Sequence, residues 1–174
     1  MKNLMIIAIG LFVSTSIARA QSTKGDLISD WKRAKEYTIE YLEAMPDSKY
    51  SLKPTDDIRT FAEQMLHIAD ANYGFTSAAL STDNPQSENP LEKANDKSKS
   101  AVTKLVTESY DFVIRSIEST DDSEFGHSIR LFDSFEMTKR KALLKLFEHQ
   151  THHRGQTTIY LRLAGVVPPQ EKLF

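Results

Sequence analysis

Three of the five histidines in this chain fall within the run Glu148-His149-Gln150-Thr151-His152-His153-Arg154-Gly155-Gln156. His149 and His153 are four residues apart, which on an α-helix stacks them on one face. Two imidazoles so placed can share one metal ion. His152 lies about 100° round the helix from His153 and falls outside that pair. A third imidazole, His67, sits in a helical column with Gln64, Ala71, Gly74 and Ala78. These neighbours are small or polar where a bundle core would ordinarily carry leucine. The column therefore suggests a space beside His67, or else close helix packing on Gly74.

Burying three imidazoles is costly unless each finds a partner, and a metal would serve all three together. Because such spacing also recurs by chance on polar helices, a metal site and a metal-free structural role both remain open on spacing alone. Three nitrogen ligands with open positions would be the catalytic pattern, suited to activating water or polarising a substrate atom. Imidazole ligation fits Zn²⁺, Ni²⁺, Fe²⁺ or Co²⁺ without choosing among them. A metalloprotease HExxH motif is excluded, since Gln150 stands where the basic glutamate belongs and an amide cannot deprotonate water. Gln156, one turn past His153, could bond a ligand or its water, and Tyr160 could wall a pocket. Asp70, one turn beyond His67, is the carboxylate to test as a base, although a surface position is the commoner outcome. Glu148 and Arg154 lie off the histidine face and are expected at the surface or in ion pairs. His127 is expected in solvent. Gly155 lies inside a helix at a cost of about 1 kcal/mol against alanine, so something could approach the backbone there.

Four amphipathic segments would position these residues. Leu27, Trp31, Ala34, Tyr37, Thr38, Tyr41 and Leu42 form the stripe of a first helix ending at Met45-Pro46. A second runs from an N-cap at Thr55 to about Leu80. Residues 81–96 lack periodicity and form a long connection that crosses the bundle or frames a site. A third helix runs from about Lys97 to Ile117. Residues 119–134 read as irregular, with a short extended stretch near 125–132 and with Phe132 and Phe135 covering an end of the core. Thr138 caps a fourth helix stopped by Gly165 and Pro168-Pro169. The face bearing His149 and His153 also carries Ala142, Leu146, Gln156, Tyr160 and Leu163, so these histidines are expected to look inward. The expectation is an all-α four-helix bundle with a long connection between helices 2 and 3.

The beginning of the chain reads differently. Met1-Lys2-Asn3, an apolar run to Val13 and Ala18-Arg19-Ala20 match a secretory signal peptide over residues 1–20, leaving a domain at 21–174. Its apolar run is too short to span a bilayer, so no membrane association is expected after its removal. The expected location is periplasmic or secreted. With no cysteine, there is neither a disulfide staple nor a thiolate ligand. Losing Lys2 and Arg19 would leave 20 basic against 24 acidic side chains, an acidic balance that argues against nucleic acid and anionic lipid as partners.

The run from His149 to Gln156, with Tyr160-Leu161-Arg162-Leu163-Ala164-Gly165 and Pro168-Pro169, resembles the signature of the DinB-like (DinB/YfiT) family. Phe61-Ala62-Glu63-Gln64-Met65-Leu66-His67-Ile68-Ala69-Asp70 resembles that family's second-helix segment. The resemblance covers nearly the whole of residues 21–174. It implies a four-helix bundle holding a divalent metal through three histidines, which carry over to His67, His149 and His153. Family members include thiol S-transferases, a thiol-dependent isomerase and hydrolase-like proteins. Export sets this chain apart from thiol chemistry, because cytosolic thiol cofactors are scarce outside the cell membrane. The expectation is an exported metal-dependent hydrolase or transferase acting on a small electrophilic molecule through metal-activated water or another nucleophile. The alternative is a non-catalytic periplasmic metal- or ligand-binding module. Some members pair through helix faces, which makes a homodimer a further expectation.

Overall fold

The computed structural model describes residues 23–174, and the signal-peptide segment lies outside them. Helix α1, Lys24–Ala44, begins at a capping box in which the Thr23 hydroxyl accepts from Asp26 N–H and the Asp26 carboxylate accepts from Thr23 N–H. It buries the stripe predicted from its periodicity: Leu27, Trp31, Ala34, Tyr37, Thr38, Tyr41 and Leu42. Helix α2 is Phe61–Leu80, α3 is Lys99–Ser119 and α4 is Lys139–Leu163. Together they form a four-helix bundle in which α2 packs against both α3 and α4, while α1 closes the other side. Among the described residues no helix is long and apolar enough to cross a membrane.

Helix α2 starts later than Thr55. Thr60 is its N-cap because Glu63 completes a reciprocal capping box, whereas the residue three past Thr55 is Ile58, which cannot return a hydrogen bond. Residues 50–60 instead fold back, and backbone bonds from Phe61 N–H to Leu52 O (3.0 Å) and from Ala62 N–H to Tyr50 O (2.9 Å) hold the bend. Helix α4 ends in a Schellman turn, with Val166 N–H bonded to Leu161 O at 2.9 Å and Gly165 at φ +80°.

Arg154 is not a surface residue. It is 5% exposed and donates to Gln150 Oε1 at 2.9 Å, with longer contacts of 3.4 Å to Ala34 O and Thr38 Oγ1. Its guanidinium lies 4.4 Å from the centre of the Tyr37 ring. Neutral oxygens and a π-face solvate the charge there without a carboxylate. Gln150 also accepts from Tyr110 Oη at 3.0 Å, so this polar cluster ties α4 to α1 and α3.

The segment before α4 is a hairpin, β1 Ser128–Leu131 and β2 Phe135–Thr138, antiparallel with Leu131 opposite Phe135. Its three-residue connection holds Phe132 at φ +50° and Asp133 at φ +55°. A phenylalanine in the left-handed region costs about 1–2 kcal/mol. Phe132 and Phe135 do not cover the core as expected, being 48% and 60% exposed; Phe125 and Leu131 take that role. Leu163, expected on the inward face, is exposed at the end of α4, where that face runs past its neighbours.

Candidate metal centre

Helices α2 and α4 bring His67, His149 and His153 together, each half-buried. Each can offer one nitrogen such that the three atoms lie within 4.8 Å of one another, so the cluster could hold a metal ion. Ring centroids are 4.3 Å apart for His149 and His153, 4.4 Å for His67 and His153, and 5.1 Å for His67 and His149. The i, i+4 stacking on α4 is the one the helical spacing predicted, and His67 lies opposite it as the family resemblance implied. The space beside His67 is open. A side chain added at Gly74 would meet nothing within 4 Å, which rules out close helix packing there. Gly155 is equally open, so no element approaches the backbone at that position.

The surroundings of the three rings orient them. Nδ1 of His67 contacts the Glu92 carboxylate directly. With Nδ1–H donating to Glu92, the lone pair of His67 is left on Nε2, the arrangement that carboxylate partners impose on metal-binding histidines. Arg59 bonds the same carboxylate through Nε at 2.8 Å. Burial pushes the Glu92 pKa up, but the bonds from Arg59 and His67 outweigh it and hold the group below its usual range. Glu92 sits in a short 3-10 turn, Leu91–Lys93, in the long connection after α2. Asp70 fixes that turn, its two oxygens accepting from Leu91 N–H (2.7 Å) and Glu92 N–H (3.0 Å). These bonds make Asp70 a positioning residue and occupy the oxygens a general base would use.

Gln64 Nε2–H donates to Nδ1 of His153 at 2.8 Å and to Oε1 of Gln156. An amide turned over would offer its oxygen to Nδ1–H instead, so Gln64 can complement either tautomer of His153. Gln156 Nε2 in turn lies 2.9 Å from Nε2 of His152. Gln156 is thus one residue removed from His153. Tyr160 lines a cavity beside His153, as expected of a wall, and donates its hydroxyl to Arg59 O at 2.7 Å. Nδ1 of His149 is buried and has no hydrogen-bond partner among the described residues. Leaving such a nitrogen unserved costs about 1–3 kcal/mol, which a cation taking its lone pair would relieve.

Burial and the mutual repulsion of neighbouring positive charges depress the basicity of the cluster. His153 is lowered to about 3, by burial first and then by His149 and His67; His149 is lowered to about 4, by burial first and then by His67 and His152. Both rings are therefore neutral at neutral pH, each offering one lone pair beside its one N–H. Three cavities adjoin the cluster. One of about 650 Å³ lies beside His153 under Arg59, Ile159 and Tyr160. Another of about 420 Å³ joins His67 and His149 to the 81–96 connection, and a third of about 530 Å³ lies between His149 and the hairpin.

Sequence reasoning missed Glu92 and Arg59 and noted Gln64 only as a polar member of its column. The demand of a ligating histidine for a carboxylate signals that one should exist. Nothing in the spacing of Glu92, 25 residues past His67, says which one.

The family model described as the DinB family matches residues 20–173. The chain belongs to the DinB family. Solved structures agree on the fold. A DinB-like protein from Bacillus cereus is 20% identical, with a TM-score of 0.76, over 87% of this chain and 99% of that one. A DinB-like protein from Bacillus subtilis is 21% identical, with a TM-score of 0.65, over 85% and 96%. YfiT from Bacillus subtilis, described as a probable metal-dependent hydrolase with an unusual four-helix bundle topology, is 21% identical, with a TM-score of 0.62, over 87% and 91%. No curated protein matches.

Two outcomes are expected. Glu92→Gln should weaken zinc binding about 10–100-fold, read by competition with a chromophoric chelator; unchanged affinity would remove Glu92 from this role. In metal-free protein, the unfolded chain gains protons on His149 and His153 below about pH 6.5, while the folded chain resists until about 4 and 3. The unfolded state binds more protons in that window, so their contribution is intact above about pH 6.5 and lost as pH falls toward 3. Urea midpoints measured against pH should show this slope, flattened in the His149→Gln, His153→Gln double variant.

Proposed function

We propose that this DinB-family protein is an exported, divalent-metal-dependent hydrolase for a small electrophilic substrate, with His67, His149 and His153 as the metal ligands. The observation that carries the proposal is the convergence of three half-buried imidazoles. Two of them are held unprotonated, and the third is oriented by a carboxylate that is itself anchored twice. The donor set fits a borderline cation such as Zn²⁺, Ni²⁺ or Fe²⁺ and leaves open positions. A cation held there supplies Lewis acidity to water and to a substrate oxygen.

The chain's own residues do the remaining work. Glu92 holds the His67 ring and contributes one negative charge beside the cluster, moderated by Arg59. Gln64 holds His153 and links it through Gln156 to His152. The Tyr160 hydroxyl and the Arg59 carbonyl brace the wall of the 650 Å³ cavity, which keeps a small substrate beside His153. Hydrolysis is favoured over thiol transfer by the description of YfiT and by the export signal read in residues 1–20.

Untagged protein should carry about one equivalent of metal and hydrolyse members of an ester, amide and lactone panel. Chelation should abolish turnover, one metal should restore it, and His67→Ala should lose both metal and activity. Metal binding without turnover on any substrate would favour the non-catalytic binding module instead. Export is tested separately. Amino-terminal sequencing of protein from the producing cell should begin at Gln21 in a fraction outside the cytoplasm, and an intact Met1 in the cytoplasm would refute it.

A further inference from the structure

The cavity of about 530 Å³ on the far side of His149 differs in kind from the one beside His153. Phe75, Leu131, Phe132, Phe135 and Met137 line it, and His149 and His152 belong to the same wall. The charged groups at its edge, Lys145 and Glu148, bond each other at 2.6 Å, leaving no unmatched charge from this pair for an ionic ligand. Phe132 and Phe135, both lining this cavity, are 48% and 60% exposed on the hairpin. A single exposed apolar residue needs no explanation, but a contiguous patch rimmed by polar groups beside a reactive cluster marks a binding surface.

Phe132 adds an independent sign. It adopts φ +50°, a conformation that glycine or asparagine reaches at lower cost, so turn formation does not account for a phenylalanine there. Its ring instead meets Phe75 edge-to-face at 4.8 Å, and Phe75 lies 5.7 Å from the His149 ring. Backbone strain kept next to a candidate active site is a pointer to function.

We propose that this cavity is a specificity subsite that seats an uncharged aryl or branched-alkyl group of the substrate against Phe132 and Phe135, with the adjoining polar group reaching the three histidines. Phe75 and Phe132 are its specificity-determining residues. The proposal rests on the metal-dependent reading of the same centre and narrows its substrates to molecules with a bulky neutral apolar end.

The probes are benzohydroxamate and acetohydroxamate on zinc-loaded protein by calorimetry, and benzyl alcohol on metal-free protein by methyl-resolved NMR. Benzohydroxamate should bind about tenfold or more tightly than acetohydroxamate, the scale expected for burying several extra carbons. Phe132→Gly, which suits the backbone angle, should reduce that preference to about twofold or less. Phe135→Ser, at an exposed position, takes its place should the first variant fail to fold. Benzyl alcohol should shift the Met137 methyl saturably. Equal affinity for the two hydroxamates, a preference that survives in the folded variant, or benzyl alcohol shifts confined to Ile159 would each overturn the subsite. If neither hydroxamate binds, the metal reading fails while the Met137 signal still decides the subsite.

Discussion

Three imidazole rings gather with centroids 4.3–5.1 Å apart, and two of them, His149 and His153, are held as neutral imidazoles at neutral pH. Partial burial strips water from them, and each added charge would repel the next. The centre therefore brings one nitrogen of each ring within 4.8 Å of the others, while Glu92 and Gln64 hold the second nitrogens of His67 and His153, an arrangement that suits a cation. The Glu92 carboxylate fits the same logic. Among the described residues it is the carboxylate that contacts the cluster, and Arg59 and Asp70 keep it there. This explains the long connection after α2, whose Leu91–Lys93 turn is the part of the chain that reaches His67 from outside the helices.

The adjoining face of α4, about 100° round the helix from the histidines, matters as much as the histidine face. Gln150 and Arg154 interdigitate with the His149 and His153 positions along the same helix and are buried against α1 and α3 through Tyr110, Thr38 and Ala34. A rotation of α4 by one residue would leave the guanidinium without acceptors in the interior, a costly state. The polar cluster thus sets the rotation of α4, and the rotation of α4 aims the histidines at α2. The burial of one face and the aim of the adjoining histidine face are fixed by one set of contacts.

The two sides of the centre also differ in their lining. The cavity beside His153 mixes Arg59, Gln64 and Gln156 with Ile58, Ile159 and Tyr160. The cavity beside His149 is edged by aromatic rings and methionine.

Much of this was legible in the chain. Helical periodicity named every buried residue of α1, and the four-residue step between His149 and His153 required them to stack, because both are local consequences of 3.6 residues per turn. The small residues around His67 allowed either an open space or close packing on Gly74, and only the structure chose the space. Thr60 could have been recognised as the true N-cap from Glu63 three residues on. Other features depend on contacts between distant segments and carry no local signature. The burial of Arg154 required the carbonyl of Ala34, and the role of Glu92 required a loop to return across α2 onto His67. Asp70 became a brace for that loop only because the turn presents its amides there. Sequence determines which faces a helix can show, since the period of the backbone is constant. Only the packing of the helices and the return of the loop decide what each face meets, because that choice belongs to the whole chain's burial of apolar surface.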